Sequence, residues 1–170
     1  MYLGQSQEIT SWFYIHFTEN PGMAWGITWG GVAGKIALTL FRIVAIVGIV
    51  YWLRQSLKKG VGAAGLWGLS LILAGAIGNV IDGLFYGMFF SDSLGRVATF
   101  MPKAGGYAPF LQGKVVDMLY FPLFSGELPQ WLPIWGGEYF TFFRPIFNIA
   151  DVAISTGVSL LFLFQRNVFK

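Results

Sequence analysis

Residues 61–81 read VGAAGLWGLSLILAGAIGNVI, twenty-one positions without one charged side chain. As a helix, a run of this length crosses the hydrocarbon core of a bilayer, about 30 Å thick. Glycines recur at 62, 65, 68, 75 and 78. Small residues at such spacings let helices approach closely in lipid. Working outward, residues 36–53 (IALTLFRIVAIVGIVYWL) are apolar except for Arg42, and residues 149–164 carry one charge, Asp151. Three transmembrane helices are therefore predicted, at 36–53, 61–81 and 149–164. The predicted fold is a membrane all-α bundle, a single polytopic domain over residues 1–170.

Composition agrees. The 170 residues are 55% hydrophobic and 11% charged, where soluble domains run near about 25% charged. Aromatics make up 18%, which suits membrane interfaces, where one end of a ring is wet and the other apolar. A net charge of +3 without a Lys/Arg block argues against nucleic acid and makes anionic lipid headgroups the expected partner of the positive residues. There is no cysteine and one histidine, His16. Disulfides, thiol nucleophiles, cysteine-based metal sites and a second imidazole for zinc are thereby excluded.

The segments between the spans carry their own patterns. In residues 6–18 (SQEITSWFYIHFT) Phe13, Ile15 and Phe17 alternate with Trp12, Tyr14 and His16, the period of a strand. Glu19, Asn20, Pro21 and Gly22 break it. Residues 82–145 are too long for a turn and contain strand-like runs such as Lys114–Phe121. They are expected to form, with residues 1–30, an extracytoplasmic platform. Phe89, Phe90, Trp131, Trp135, Phe140, Phe142 and Phe143 are read as interface anchors or platform core, and Glu19, Glu127 and Glu138 as solvated. His16 is read as a strand or interface residue.

The link 54–60 carries Arg54, Lys58 and Lys59 and no acid, and Arg166 and Lys170 follow the third span. Short basic segments stay in the cytoplasm, so the C-terminus is expected inside. An outside N-terminal segment then implies a further transmembrane helix upstream of the sequence given. Arginine at bilayer depth costs at least about 2.5 kcal/mol on insertion scales. Arg42 is expected to snorkel to the interface or to face a carboxylate within the bundle.

Acids at membrane depth are functional candidates. Asp82 closes the second span, Asp151 opens the third, and Asp117 lies in Lys114-Val115-Val116-Asp117-Met118. Asn79 and Asp82 are three apart and share a helix face; Asn148 and Asp151 repeat the spacing. These groups are expected to converge near the outer interface. Two carboxylates sharing a site cannot both ionise easily, so one can activate water while the other donates a proton, without metal or cofactor. Acids at helix ends also act simply as caps, and the dipole alone would favour Asp151 at a helix N-terminus.

Taken in order, Gly75-Ala76-Ile77-Gly78-Asn79-Val80-Ile81-Asp82, Gly113-Lys114-Val115-Val116-Asp117 and Phe147-Asn148-Ile149-Ala150-Asp151 resemble the lipoprotein signal peptidase (signal peptidase II) family, whose patterns are close to GAxGNxxDR, GxVVDF and FNxAD. Asn20-Pro21-Gly22-Met23-Ala24-Trp25-Gly26 resembles its NxGxAFG segment. The resemblance implies an aspartyl endopeptidase of the bacterial cytoplasmic (inner) membrane, active at the extracytoplasmic face. It would cut a prolipoprotein before its diacylglyceryl-modified cysteine. By motif position, Asp117 and Asp151 match the catalytic dyad, while Asn20, Asn79, Asp82 and Asn148 match residues that shape the site. The resemblance also implies four transmembrane helices with a small β-strand cradle, membrane lipids as partners, inhibition by globomycin-like cyclic peptides, and no metal or cofactor.

Three departures stand out. Gly83 occupies the position of the family's arginine, so Arg42 or Arg144 is expected to supply that interaction. The stretch between Asp82 and Asp117 is longer than in most members, and the family's first helix is not in the sequence. Two other classes fit the same acids: a small ion or proton transporter subunit, and a non-catalytic membrane scaffold. The first predicts symmetric repeats of spans, which the sequence does not display; the second predicts that Asp117→Asn leaves function intact.

Overall fold

The structure, a computed structural model, describes residues 1–22 and 31–165. The Met23–Gly26 part of the first motif and the terminal Arg166 and Lys170 lie outside the described residues. Helix α1 spans Gly31–Lys58, about 42 Å at 1.5 Å per residue. It extends beyond the predicted 36–53 at both ends, because hydropathy marks the hydrocarbon segment and not the helix. The helix stops at Gly60, whose φ of +67° only glycine adopts freely. Helix α2 (Ala63–Ile81) then runs back with α1 alongside it.

Beyond Ile81 the structure departs from the expected break at Asp82. The helix continues through a π-helical segment, Asp82–Tyr86, and one further turn, α3 (Gly87–Phe89). No proline occurs in this stretch, and its glycines, Gly83 and Gly87, keep right-handed helical backbone. A passing strap also takes up its carbonyls: Gly113 N donates to Gly83 O at 2.9 Å, Leu111 N to Leu84 O at 3.3 Å and Ala108 N to Gly87 O at 3.0 Å. A Cβ at Gly113 would collide with the Asp82 carbonyl. That close approach delivers the chain into strand β3 directly above the end of α2.

The four-stranded sheet has the order β1-β2-β3-β6, antiparallel throughout: β1 is Ser6–Thr10, β2 Phe13–Asn20, β3 Val115–Tyr120 and β6 Ile146–Phe147. The single strand read over 6–18 is in fact a hairpin turning at Ser11–Trp12. Aromatics on both faces masked the turn, because alternation continues on either side of it. Strands β2 and β3 place Thr18 opposite Asp117 and Asn20 opposite Val115. Val115 and Asp117, two apart and both buried, share one face of β3. Phe121 stacks on Phe13 at 4.6 Å and on Phe147 at 5.7 Å, tying the sheet's ends together.

A separate hairpin, β4 (Phe124–Glu127) with β5 (Tyr139–Phe142), projects with Trp131 and Trp135 exposed beyond it. Helix α4 (Ile149–Leu163) leaves the sheet and lies along α2. Its 15 residues span about 22 Å. Glycines make this contact backbone to backbone: a Cβ on Gly157 would sit 2.5 Å from Gly68 O, and one on Gly75 would strike Ala150 O.

Glu19 is not solvated, contrary to its reading from sequence. Its side chain is 2% exposed, accepts from Ser93 Oγ at 2.6 Å and pairs with Lys114 Nζ at 2.7 Å. Lys114 also lies over the Tyr107 ring, 5.3 Å from its centroid. Lys114→Met strands a buried carboxylate between β2 and the strap. The expected loss is about 2–3 kcal/mol, at the low end for a broken buried pair because Lys114 is itself part-exposed. Thermal unfolding in detergent, with Glu19→Gln added to relieve the stranded charge, measures it.

Candidate active site

Three elements meet where β3 passes over the ends of α2 and α4. Asp117, on the helix-facing side of β3, is 4% exposed. Its Oδ1 accepts from Asn148 Nδ2 at 2.7 Å and its Oδ2 from Asn20 Nδ2 at 3.2 Å. Asn148 caps α4 in a reciprocal box: its Oδ1 accepts from Asp151 N at 2.9 Å, while Asp151 Oδ2 accepts from Asn148 N at 3.2 Å. Asp151 therefore occupies the first turn of α4, where the helix dipole favours negative charge. The cap is one with the site, so the structural and chemical readings of Asp151 do not compete.

Asn79 joins the two halves. Its Nδ2 donates to Asp151 Oδ1 at 3.1 Å and its Oδ1 accepts from Asn148 Nδ2 at 3.0 Å. Asn148 thus touches both carboxylates, Asp117 through its side-chain amide and Asp151 through its backbone amide. Asp82 stands one step back. Its Oδ2 accepts from Val116 N at 3.2 Å, which holds the strand one residue before Asp117. Asn20, Asn79, Asp82, Asp117, Asn148 and Asp151, the six residues singled out by motif, all fall within this one network.

The network opens on a cavity of about 770 Å³ whose walls include Asn20, Arg42, Asn79, Asp117, Arg144 and Asp151. Burial raises the Asp117 carboxyl to about 6. The hydrogen bond from Asn20 opposes that rise, the Asp151 charge adds to it, Asn148 opposes it, and Asp82 adds to it. A buried carboxyl that keeps its proton into this range can donate it near neutral pH.

Arg42 does not snorkel away. It lines the cavity within electrostatic reach of Asp151 and Asp117, and its Nη2 donates to Gly22 O at 2.5 Å. Its direct partner is a carbonyl, not the expected carboxylate. Arg144 also borders the cavity, with Nη2 on Tyr139 O at 3.3 Å. Gly83, where the resemblance would place an arginine, lies against Thr39 of α1, one helical turn before Arg42. Sequence reasoning did not identify Gly22, Thr18 or Glu19 as neighbours of this cavity. The signal was weak: Thr18 and Glu19 sit at a strand end opposite Asp117 and Val116, almost a hundred positions away, and Gly22 lies in the turn just beyond that strand. His16 meets the Tyr120 ring edge-on at 6.1 Å, a strand contact.

A family model described as signal peptidase (SPase) II matches residues 1–166. The chain is 53% identical over 162 residues to the lipoprotein signal peptidase of Porphyromonas gingivalis, covering 95% of this chain and 70% of that protein. It is 41% identical over 165 residues to the one from Amoebophilus asiaticus, covering 96% and 66%. Two solved structures are similar, both described as a bacterial membrane enzyme determined in meso. One has a TM-score of 0.56 at 25% identity over 98% of this chain and 73% of its own. The other has a TM-score of 0.55 at 26% identity over 97% and 77%.

Proposed function

This chain belongs to the signal peptidase II family, and on that premise we propose that it removes signal peptides from prolipoproteins with Asp117 and Asp151 as its acid–base pair. The observation that carries the proposal is the convergence of both carboxylates on Asn148 at the wall of one cavity. The scissile bond is the one preceding the diacylglyceryl-modified cysteine.

In the proposed reaction Asp151, as carboxylate, takes a proton from a water whose oxygen attacks the scissile carbonyl carbon. Asp117 gives its proton to the departing nitrogen as the C–N bond breaks. The products are a signal peptide ending in a carboxylate and a lipid-modified cysteine with a free α-amine. Proton exchange from Asp151 back to Asp117 restores the starting state. Asn148 and Asn79 hold the two carboxylates in register, and Asp82 fixes β3. The pair titrates as a unit, so macroscopic values belong to both residues.

Two apolar helices long enough to cross a bilayer support a membrane site for this chemistry. In the proposed topology the sheet and the strap lie on the extracytoplasmic side, and the basic 54–60 link and the C-terminus lie in the cytoplasm. The substrate's acyl chains then follow the apolar faces of the helices, and cyclic peptides of the globomycin kind would compete for the same cavity. Nothing observed favours an ion path or a scaffold.

The test is cleavage of a diacylglyceryl-modified prolipoprotein by the purified chain in detergent, with the new N-terminus identified by mass spectrometry. Cleavage before the modified cysteine supports the proposal, and an intact substrate or another cut site sinks it. The pH profile tests the roles. With Asp117 as proton donor, kcat/KM falls about tenfold per pH unit above about 6. A flat profile from pH 5 to 8 would assign the proton elsewhere.

A further inference from the structure

Resting on the peptidase reading, we infer that Arg42 is a positioning residue, a membrane-helix side chain that aims Asp117 through the Asn20–Gly22 turn.

Three hydrogen bonds in series connect them. Arg42 Nη2 donates to Gly22 O at 2.5 Å, Gly22 N donates to Asn20 Oδ1 at 2.8 Å, and Asn20 Nδ2 donates to Asp117 Oδ2 at 3.2 Å. The turn follows directly on β2, and its side-chain-to-backbone bond across Pro21 is the kind an asparagine makes two residues on. Gly22 has φ of +98°, a conformation that disfavours any side chain, and a Cβ there would stand 3.1 Å from Arg42 Nη1. The turn is therefore shaped against the guanidinium.

The position of Arg42 makes this more than a surface contact. It lies seven residues beyond Lys35, about 10 Å further along α1, in a run that is otherwise apolar. Lys35 Nζ secures the upper part of the same helix to Gln112 O at 2.6 Å. An arginine this far into a span is costly unless its donors are used. The guanidinium has five N–H donors in a rigid fork. One is spent on the turn while the group borders the cavity. The arm it supports carries one of the two side-chain amides bonded to Asp117 among the described residues; Asn148, from the opposite side, is the other.

The experiment measures kcat and KM for lipoprotein-precursor cleavage by the full chain in detergent. Arg42→Met should lower kcat about 10- to 100-fold, the scale of an approximately 1 Å misplacement of a reacting group, with KM within about twofold. Arg42→Lys, which keeps a donor for the carbonyl, should recover most of the rate. Gly22→Ala strains the same arm from the turn, where φ is +98° and the added Cβ presses on Arg42 Nη1 and Leu38 of α1, and should reproduce the loss.

The decisive comparison is made in an Asn20→Ala background. Where Arg42 acts through Asn20, Arg42→Met costs less than about threefold there, because coupled residues are not additive. An equal loss in both backgrounds, a loss confined to KM, or an unchanged rate overturns the inference. If the unaltered chain leaves substrate intact, the peptidase reading falls and the inference with it. If the unaltered chain and Arg42→Met cleave alike, only the inference falls.

Discussion

Asp117→Asn and Asp151→Asn should each reduce prolipoprotein cleavage by at least about 10³-fold while leaving the fold intact. Loss of a positioned acid or base costs about 10²–10⁴-fold, and here either loss leaves a single carboxyl to do the work of two. The fold should survive because both substitutions are nearly isosteric. An asparagine at 117 still accepts one hydrogen bond in place of the two from Asn20 and Asn148, and relief of a buried carboxyl offsets the bond that is lost. Melting temperatures within a few degrees of the unaltered protein, beside absent cleavage, are the expected pair of results.

Asp82→Asn is the informative contrast. Asp82 meets the site through Val116 N, so it acts on strand position and not on the reacting atoms. Its loss should cost about tenfold. Equal losses at positions 82, 117 and 151 would mean that the acids serve a common structural or ion-conducting role. An unaffected Asp117→Asn would mean that Asp117 carries no chemistry.

The second large effect is expected at Gly75. Its Cβ would run into the Ala150 carbonyl and stand 2.7 Å from Ile154 Cγ1. Backbone cannot swing aside as a side chain can. Gly75→Leu must push α4 from α2, and that is where the site is closed: Asn79 lies one turn on from Gly75, and Asp151 follows Ala150. The bond from Asn79 Nδ2 to Asp151 Oδ1, 3.1 Å long, is the first to open. Activity should fall by about 10²-fold or more, with about 1–3 kcal/mol of stability lost to overpacking.

The glycines supply their own controls. Gly78 lies one turn from Gly75 toward the site, but a Cβ there meets only Ala150 Cβ at 3.4 Å, so Gly78→Ala should be mild. A Cβ on Gly48 of α1 meets nothing within 4 Å, and Gly48→Ala should be neutral or stabilising by up to about 1 kcal/mol. A Gly48→Ala protein as impaired as Gly75→Leu would refute the packing explanation.

Much of this chain was legible before any coordinates. Hydropathy is a local property, so the apolar runs around Arg42, along 61–81 and after Asn148 could be read from neighbours alone. The repeated Asn-x-x-Asp spacing is likewise local: three residues on a helix share a face wherever the helix lies. The same locality explains the failures. Alternating aromatics read identically along one strand and around a tight hairpin, so Ser11–Trp12 passed as strand interior. Asp82 looked like a helix end because a charge ended an apolar run, yet the strap at 108–113 supplies amides that let the helix continue.

By itself the sequence determined that this chain enters a membrane, that the 61–81 helix can approach a neighbour closely through glycine, and that Asn79 with Asp82 and Asn148 with Asp151 share helix faces. Those are consequences of composition and short-range periodicity. Only the tertiary structure decided that Asn20 reaches Asp117 across 97 positions, that Glu19 is buried against Lys114 across 95, and that Arg42 turns inward to the Gly22 carbonyl. The reason is physical. A buried polar group must find a partner, and the fold alone determines which distant partner is within about 3 Å.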